Sequence, residues 1–181
     1  YLGIAGEALV AEVEIASLGL SWARWGLGGR GGVVPDLWAS GEDTAWGHGA
    51  MVPGFGEAVG WFDRADLGVD ARWEHGPFRA AVALTAGEGA RMRERNEGKN
   101  IAGLLAVVPG RQLAVEIYAR NGSRGLGYTR DHRVAVRASG EVTFLRYGAS
   151  GVAAWGVDGD STRAPWGGSG WLEVRPWGPL R

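Results

Sequence analysis

The sequence contains no cysteine among its 181 residues. Disulfide bonds and thiolate metal sites are therefore excluded. Lysine is nearly absent: Lys99 stands alone beside 18 arginines, and the formal net charge is −1 at pH 7. Such a balance gives no electrostatic basis for binding nucleic acid. No run of about 18 apolar residues occurs, so the sequence predicts no transmembrane helix.

Glycine and tryptophan are the residues in excess, with 33 and 10 copies, and 45% of all residues are apolar. High glycine without a collagen period, combined with many aromatics, argues against disorder. It favours strands whose small positions allow close packing and whose rings lie at an interface. The length suits one domain over residues 1–181.

Residues 65–120 carry the clearest periodicity. One set of alternate positions is apolar: Leu67, Val69, Ala71, Trp73, Phe78, Ala80, Val82, Leu84, Leu113, Val115, Ile117 and Ala119. The intervening positions hold charged and small residues. A period of two indicates strands with one apolar face. Charges at mid-strand on the other face are typical of a wet interior, so the pattern favours a membrane barrel over a soluble sheet.

Short turns and long loops alternate along the predicted strands. Short turns are predicted at 75–77, 109–111 and 139–141. The predicted long loops are 29–64, 87–99, 121–131 and 158–169. Further strands are expected at 8–16, 20–28 (with a bulge at Arg24), 133–138, 142–157 and 170–175, which gives about nine in total. The segment 29–64 is expected to be an outer loop, a loop folded inward, or an ordinary surface loop.

Aromatic residues cluster toward strand ends. Trp73, Phe78, Phe144 and Trp177 lie near predicted short turns, and Tyr118, Trp155 and Trp171 lie toward predicted long loops. Two such bands are typical of the aromatic girdles at the two lipid interfaces of a membrane barrel.

Several segments resemble the phosphate-selective (O and P type) superfamily of Gram-negative outer-membrane porins. They are Ala65–Val69, Gly76-Pro77-Phe78, Ala83–Gly89, Asn96–Gly103 and Gly170–Pro176. The resemblance spans roughly residues 8–181. It implies an all-β, antiparallel up-and-down transmembrane β-barrel in the bacterial outer membrane. Its partners would be outer-membrane lipid and small solutes or anions, without a cofactor, and a homotrimer is one candidate assembly.

The strand number departs from that family. Family barrels have roughly 16–18 strands, and a single-chain bacterial barrel has an even number. Nine strands would leave two open edges, which lipid does not tolerate. The chain also starts at Tyr1 and ends in Arg181 instead of an aromatic residue. We therefore expect a fragment of a larger barrel.

Arginines and acids share the polar faces of the predicted strands. The candidate lumen-lining residues are Arg72, Arg79, Arg120, Arg133, Arg137, Arg146, Asp70, Glu74 and Glu116. Arginine stays charged and binds phosphate or carboxylate in a fork geometry. A passive porin that prefers anions is one hypothesis. The other is that the acids pair with the arginines and only neutralise wall charge.

The remaining sequence motifs give little support for a nucleotide, metal or catalytic site. Gly26–Gly31 matches G-x-G-x-x-G, but no helix start follows. His48, His75 and His132 lack metal-ligand spacing. Asp158 and Asp160 do not form a full calcium loop. No nucleophile–base arrangement is visible, so no enzyme is predicted. One alternative function is a soluble all-β barrel or sandwich that holds a ligand with its tryptophans. Another is a barrel used for adhesion or scaffolding through its long loops.

Overall fold

A computed structural model describes residues 2–5, 8–11, 17–47, 53–87, 89, 98–123, 130–156, 160 and 162–174. Nine strands form one antiparallel up-and-down sheet in the order β11-β10-β9-β8-β7-β6-β5-β4-β3. They are β3 (Ser17–Trp22), β4 (Leu27–Pro35), β5 (Ala65–His75), β6 (Phe78–Thr85), β7 (Asn100–Gly110), β8 (Leu113–Asn121), β9 (His132–Val142), β10 (Leu145–Trp155) and β11 (Trp166–Val174). The sheet is not closed: β3 and β11 are its two edges.

A small hairpin of two strands and two helices lie outside this sheet. β1 (Leu2–Ala5) and β2 (Ala8–Ala11) pair with each other as a separate hairpin. Helices α1 (Leu37–Trp46) and α2 (Phe55–Ala58) belong to the stretch of chain that connects β4 to β5. No helix in the described ranges has the length and apolar character needed to cross a membrane.

The alternation of short and long connections is confirmed. Short connections of two to four residues join β3 to β4, β5 to β6, β7 to β8 and β9 to β10, whereas long connections lie at the other end of the sheet. Some boundaries move. β9 runs through the predicted turn at 139–141 and turns at Thr143-Phe144, and β11 starts at Trp166 inside the predicted loop 158–169.

The first two predicted strands were placed wrongly. Of the predicted strand 8–16, residues 8–11 belong to the small hairpin, and 12–16 lie outside the described residues. Arg24 is in a single 3₁₀ turn, Ala23–Trp25, so the predicted strand 20–28 is a hairpin and not one bulged strand. Gly26 ends that turn at φ 62°, and a Cβ there would collide with the carbonyl oxygen of Glu74. The predicted total of nine is therefore reached with a different set of strands.

The two faces of the sheet have opposite chemistry. We call the face that packs against α1 the inner face and its opposite the outer face. The predicted apolar alternation lies on the outer face, where Leu84, Val115 and Ile117 are 51%, 36% and 56% exposed. The outer face carries no second layer in the part of the chain that the structure describes. The inner face carries the buried charged residues. A soluble antiparallel sheet typically does the reverse, because it buries its apolar face and exposes its charged face.

The predicted aromatic bands are only partly correct. Trp73, Phe78 and Phe144 are exposed near short turns, and Trp155 is exposed near a long loop. Tyr118 and Trp171 instead occupy inner-face positions, since they alternate with the outer residues Ile117 and Leu172. Trp166, 83% exposed, lies on the outer face at the long-loop end. Trp177 is outside the described residues.

The segment of residues 36–64, which we call the inner segment, packs against the inner face. Asp36 begins α1 by accepting hydrogen bonds from the backbone N–H groups of Trp38 and Ala39, at 2.8 and 3.0 Å. Trp38 is fully buried against Phe62 and Tyr118, with ring centroids 6.3 and 5.9 Å away. Small inner-face side chains make room for this cluster: Ala83, Ala102 and Ala135. The apolar core therefore lies between the sheet and its own inner segment.

We predict that Trp38→Ala lowers the free energy of unfolding by about 3–5 kcal/mol, because it removes a fully buried ring from this core. Trp22→Ala is the matched control, since Trp22 is 56% exposed on β3. That control is expected to change stability by about 0.5 kcal/mol or less. Denaturant titration followed by circular dichroism measures both, and equal losses would show that the inner segment contributes no core.

Candidate functional site

All nine candidate residues lie on the inner face, distributed over β5, β6, β8, β9 and β10. The structure divides the arginines into two groups. The first group contacts the inner segment and consists of Arg120, Arg133, Arg137 and Arg146. Arg72 and Arg79 border a cavity with Glu74 and Glu116.

Two of the first group share one acid and one carbonyl. The Arg120 and Arg133 guanidinium groups both pair with Asp131, the Arg120 contact being 2.7 Å, and all three residues are at least 93% buried. Both also donate to the carbonyl oxygen of Trp61, at 3.4 and 3.2 Å. Asp131 was predicted only as the end of a loop, so this buried acid was missed.

Arg137 crosses α1 at its middle. Its Nε donates to Glu116 Oε2 at 2.5 Å, and its guanidinium carbon lies 4.6 Å from the ring centroid of Trp38. Gly41 of α1 leaves room for this crossing, because a Cβ there would collide with the guanidinium. The cation is thus paired with a carboxylate and packed on an aromatic face, while its buried Nη1 and Nη2 atoms have no hydrogen-bond partner among the described residues.

Arg146 binds the end of α1. Its Nη2 donates to the carbonyl of Thr44 at 2.7 Å, and its Nη1 donates to that of Trp46 at 3.4 Å. The last carbonyls of a helix lack intrahelical partners and carry the negative end of the dipole. Arg146 therefore holds the C-terminus of α1 against β10.

Two cavities flank α1. The larger one, of about 320 Å3, is bordered by α1 and by strands β4 to β9. Arg30, Arg72 and Arg79 line it together with Glu74 and Glu116. Asp70 pairs with Arg30 at 2.6 Å and with Arg72 at 3.3 Å, and Glu74 lies 3.9 Å from Arg79. Each of these three arginines thus has a carboxylate within 4 Å. Arg30 was missed because it falls in the glycine-rich run that the sequence predicts to be a loop.

A second cavity of about 250 Å3 lies on the other side of α1, against β10 and β11. We call it the aromatic cavity. Its lining includes Trp46, Phe55 and Trp171, with Glu42, Ser150 and Ser169. Ser150 donates to Glu42 Oε1 at 3.2 Å, and the two serine hydroxyls are 3.0 Å apart. No sequence motif pointed to this group, because its members come from three separate stretches of chain.

Two buried carboxyls of the inner segment have perturbed acidity. Burial raises the pKa of Glu42, against the lowering effects of the Ser150 hydroxyl, the Gly56 N–H group and Arg137. Burial likewise raises the pKa of Asp36, although Arg120 and the two N–H groups that Asp36 caps lower it. Each of these carboxyl groups therefore loses its proton at a higher pH than it would in water.

The motifs given little weight have ordinary surroundings. Gly26–Gly31 lies in the β3–β4 hairpin and continues as strand to Pro35, so it does not form the start of a helix. Two hydrogen bonds from Thr162 lower the pKa of Asp160. His48 and Asp158 are outside the described residues. Across the residues that the structure describes, no group of three or more potential ligands could hold a metal ion.

Comparisons with protein-family models, curated proteins and solved structures give no match to this chain.

We predict that Glu42 makes stability fall as pH rises. Its folded-state pKa is raised above the ordinary value of 4.5, so the folded state binds more protons than the unfolded state in the window from about 4.5 up to the raised value. The Glu42 contribution is fully present below 4.5 and is lost through that window. Glu42→Gln should match the native chain at the acid end and become more stable than it toward neutral pH.

Denaturant titrations of both chains across this pH range measure the difference. The comparison with Glu42→Gln cancels the titration of other acids, including Asp36. A difference that stays constant with pH would contradict the prediction.

Proposed function

We propose that this chain forms part of the wall of a passive, water-filled outer-membrane channel, a porin for small solutes. The observation that carries the proposal is the sidedness of the sheet. Its outer face is apolar and exposed, and its inner face is charged and largely buried. Lipid is the surrounding that favours an apolar outer face of this kind, whereas water-filled interiors favour polar ones.

Strand length supports the same proposal. Seven of the nine strands, β4, β5 and β7 to β11, have 9–11 residues. That is about the length a tilted strand needs to span a bilayer. Exposed outer-face aromatics near both strand ends, such as Trp73 and Trp166, fit the headgroup regions.

The inner segment would narrow the channel. It lies on the charged face, where solutes would pass, and wall arginines hold it at Thr44, Trp46 and Trp61. The larger cavity beside it is the passage that remains on one side of α1. Its three arginines are paired with only two acids, Asp70 and Glu74, because Glu116 is already paired with Arg137. Anion preference is therefore the hypothesis to test.

A closed channel requires partners for β3 and β11. Because the sheet has nine antiparallel strands, the edge strands β3 and β11 run in the same direction. An antiparallel closure would therefore use an odd number of additional strands. Without such strands the unpaired backbone groups would face lipid, which is unfavourable by several kcal/mol for each group.

The soluble alternative makes a different structural prediction. A sandwich or lipocalin-like barrel would bury Leu84, Val115 and Ile117 in a dry core. These side chains are exposed, so we give preference to the channel.

We predict that spin labels on β8 will separate lipid from water. The native chain has no cysteine, so Val115→Cys, Ile117→Cys and Ala114→Cys each give one labelling site. After reconstitution in vesicles, labels at 115 and 117 should respond to dissolved oxygen, because they face lipid. The label at 114, on the inner face beside the larger cavity, should respond to a water-soluble nickel chelate.

Arg111→Cys, in the exposed β7–β8 turn, is the water-exposed control. If labels at 115 and 117 also respond strongly to the nickel chelate, the outer face does not contact lipid and the proposal fails.

We also predict that Arg146→Ala raises single-channel conductance in planar bilayers, because the C-terminus of α1 loses its two anchoring hydrogen bonds. Arg111→Ala should leave conductance near that of the native chain. Reversal potentials in a salt gradient then give selectivity, and cation preference would rule out the anion hypothesis. A decrease on releasing Arg146 would contradict the constriction.

A further inference from the structure

The aromatic cavity has the composition of a small-ligand site. Ligand sites are concave, mainly apolar, and contain a few convergent polar groups. Here Trp46, Phe55 and Trp171 supply the rings, and Ser150, Ser169 and buried Glu42 supply the polar atoms. Its volume of about 250 Å3 is below the roughly 300–1,000 Å3 typical of drug-sized ligands. It therefore suits an occupant of one or two rings.

Glycines in the wall set the positions of these rings. Gly148 faces Trp171 across the β10–β11 pair, and a Cβ at Gly148 would lie 2.8 Å from the indole. A Cβ at Gly167 would lie 2.7 Å from the Phe55 ring. Both approaches are closer than real Cβ contacts. The two glycines therefore let these aromatic rings lie close to the sheet.

The polar atoms form a chain with spare acceptor capacity. Ser150 donates to Glu42, and Ser150 and Ser169 share one further hydrogen bond. Each hydroxyl oxygen has two acceptor lone pairs, and a carboxylate has about four acceptor sites. The Gly56 N–H group uses one site on Glu42, at 3.4 Å. Several acceptors therefore remain for O–H donors of a ligand.

The charges around the cavity disfavour an ionic occupant. Arg137 lines the cavity, and Glu116 neutralises its charge, while its buried Nη atoms keep the capacity to donate to a ligand oxygen. Arg146 lies 5.7 Å from the Trp171 ring centroid, which opposes a cationic ligand there. Glu42 opposes an anionic one. A neutral molecule that combines apolar faces with hydroxyl groups fits best.

We propose that the aromatic cavity binds a neutral sugar ring. Trp46, Phe55 and Trp171 would pack against its carbon–hydrogen faces, and Glu42, Ser150 and Ser169 would hydrogen-bond its hydroxyl groups. The inference goes beyond the proposed channel, because binding in the cavity does not depend on transport.

Titration calorimetry on the full chain tests the proposal, in a zwitterionic detergent that has no sugar headgroup. Glucose and maltose are the probes, and indole, inorganic phosphate and tetramethylammonium are the comparison solutes. We expect saturable binding of at least one sugar. Trp171→Ala should weaken it by about ten-fold or more, since it removes one stacking ring.

Trp155→Ala is the matched control, because Trp155 lies on the outer face of the neighbouring strand. It should change sugar affinity by no more than about two-fold. Ser169→Ala removes one hydroxyl while keeping all rings, and should also weaken sugar binding. Circular dichroism checks that each variant is folded, and Ser169→Ala keeps the test decisive if Trp171→Ala is not.

Three results would overturn the inference: no sugar binding, sugar binding that both Trp171→Ala and Ser169→Ala leave unchanged, or binding of indole or an ion without any sugar binding. Conductance is measured separately. A conducting chain without a sugar site would reject only this inference, and a sugar site in a non-conducting chain would reject only the channel.

Discussion

The fold depends on how buried guanidinium groups are compensated on the inner face. Moving one charged group from water into a protein interior costs several kcal/mol unless partners replace the lost hydration. Arg120 and Arg133 are compensated jointly by Asp131 and the Trp61 carbonyl. The dependence is mutual, because the Trp61 carbonyl also needs donors where water is excluded. Wall and inner segment therefore stabilise each other, and neither is expected to keep its conformation alone.

Sequence reasoning was most successful where one physical period dominates. The two-residue alternation on β5, β6 and β8 identified the strands and their faces, because a strand places successive side chains on opposite sides. It failed on β4. Residues 28–32 are four glycines and Arg30, so neither face carries an apolar series. The pairing with β5, including Arg30 opposite Asp70, becomes visible only in three dimensions.

The helix and the roles of the arginines were harder to predict for different reasons. Pro35-Asp36 before Leu37 is a helix-start signal that local sequence does contain. Alternation also placed the arginines on the correct face. It could not name their partners, since Arg120 contacts Trp61 across 59 positions and Arg146 contacts Thr44 across 102. A strand pattern fixes the direction of a side chain but carries no information about what fills the space in front of it.

The inner segment also divides the interior into two chemically different spaces. Glu116 borders the larger cavity and Glu42 borders the aromatic cavity. Arg137 lies between them, packed on Trp38. The β4–β9 side is lined by paired charges, whereas the β10–β11 side is lined by rings and hydroxyls. Because α1 and Trp38 separate the spaces, substitutions at Trp171 or Ser169 change one lining without touching Arg72 or Arg79. Solute passage and ligand binding can therefore be examined independently in the same chain.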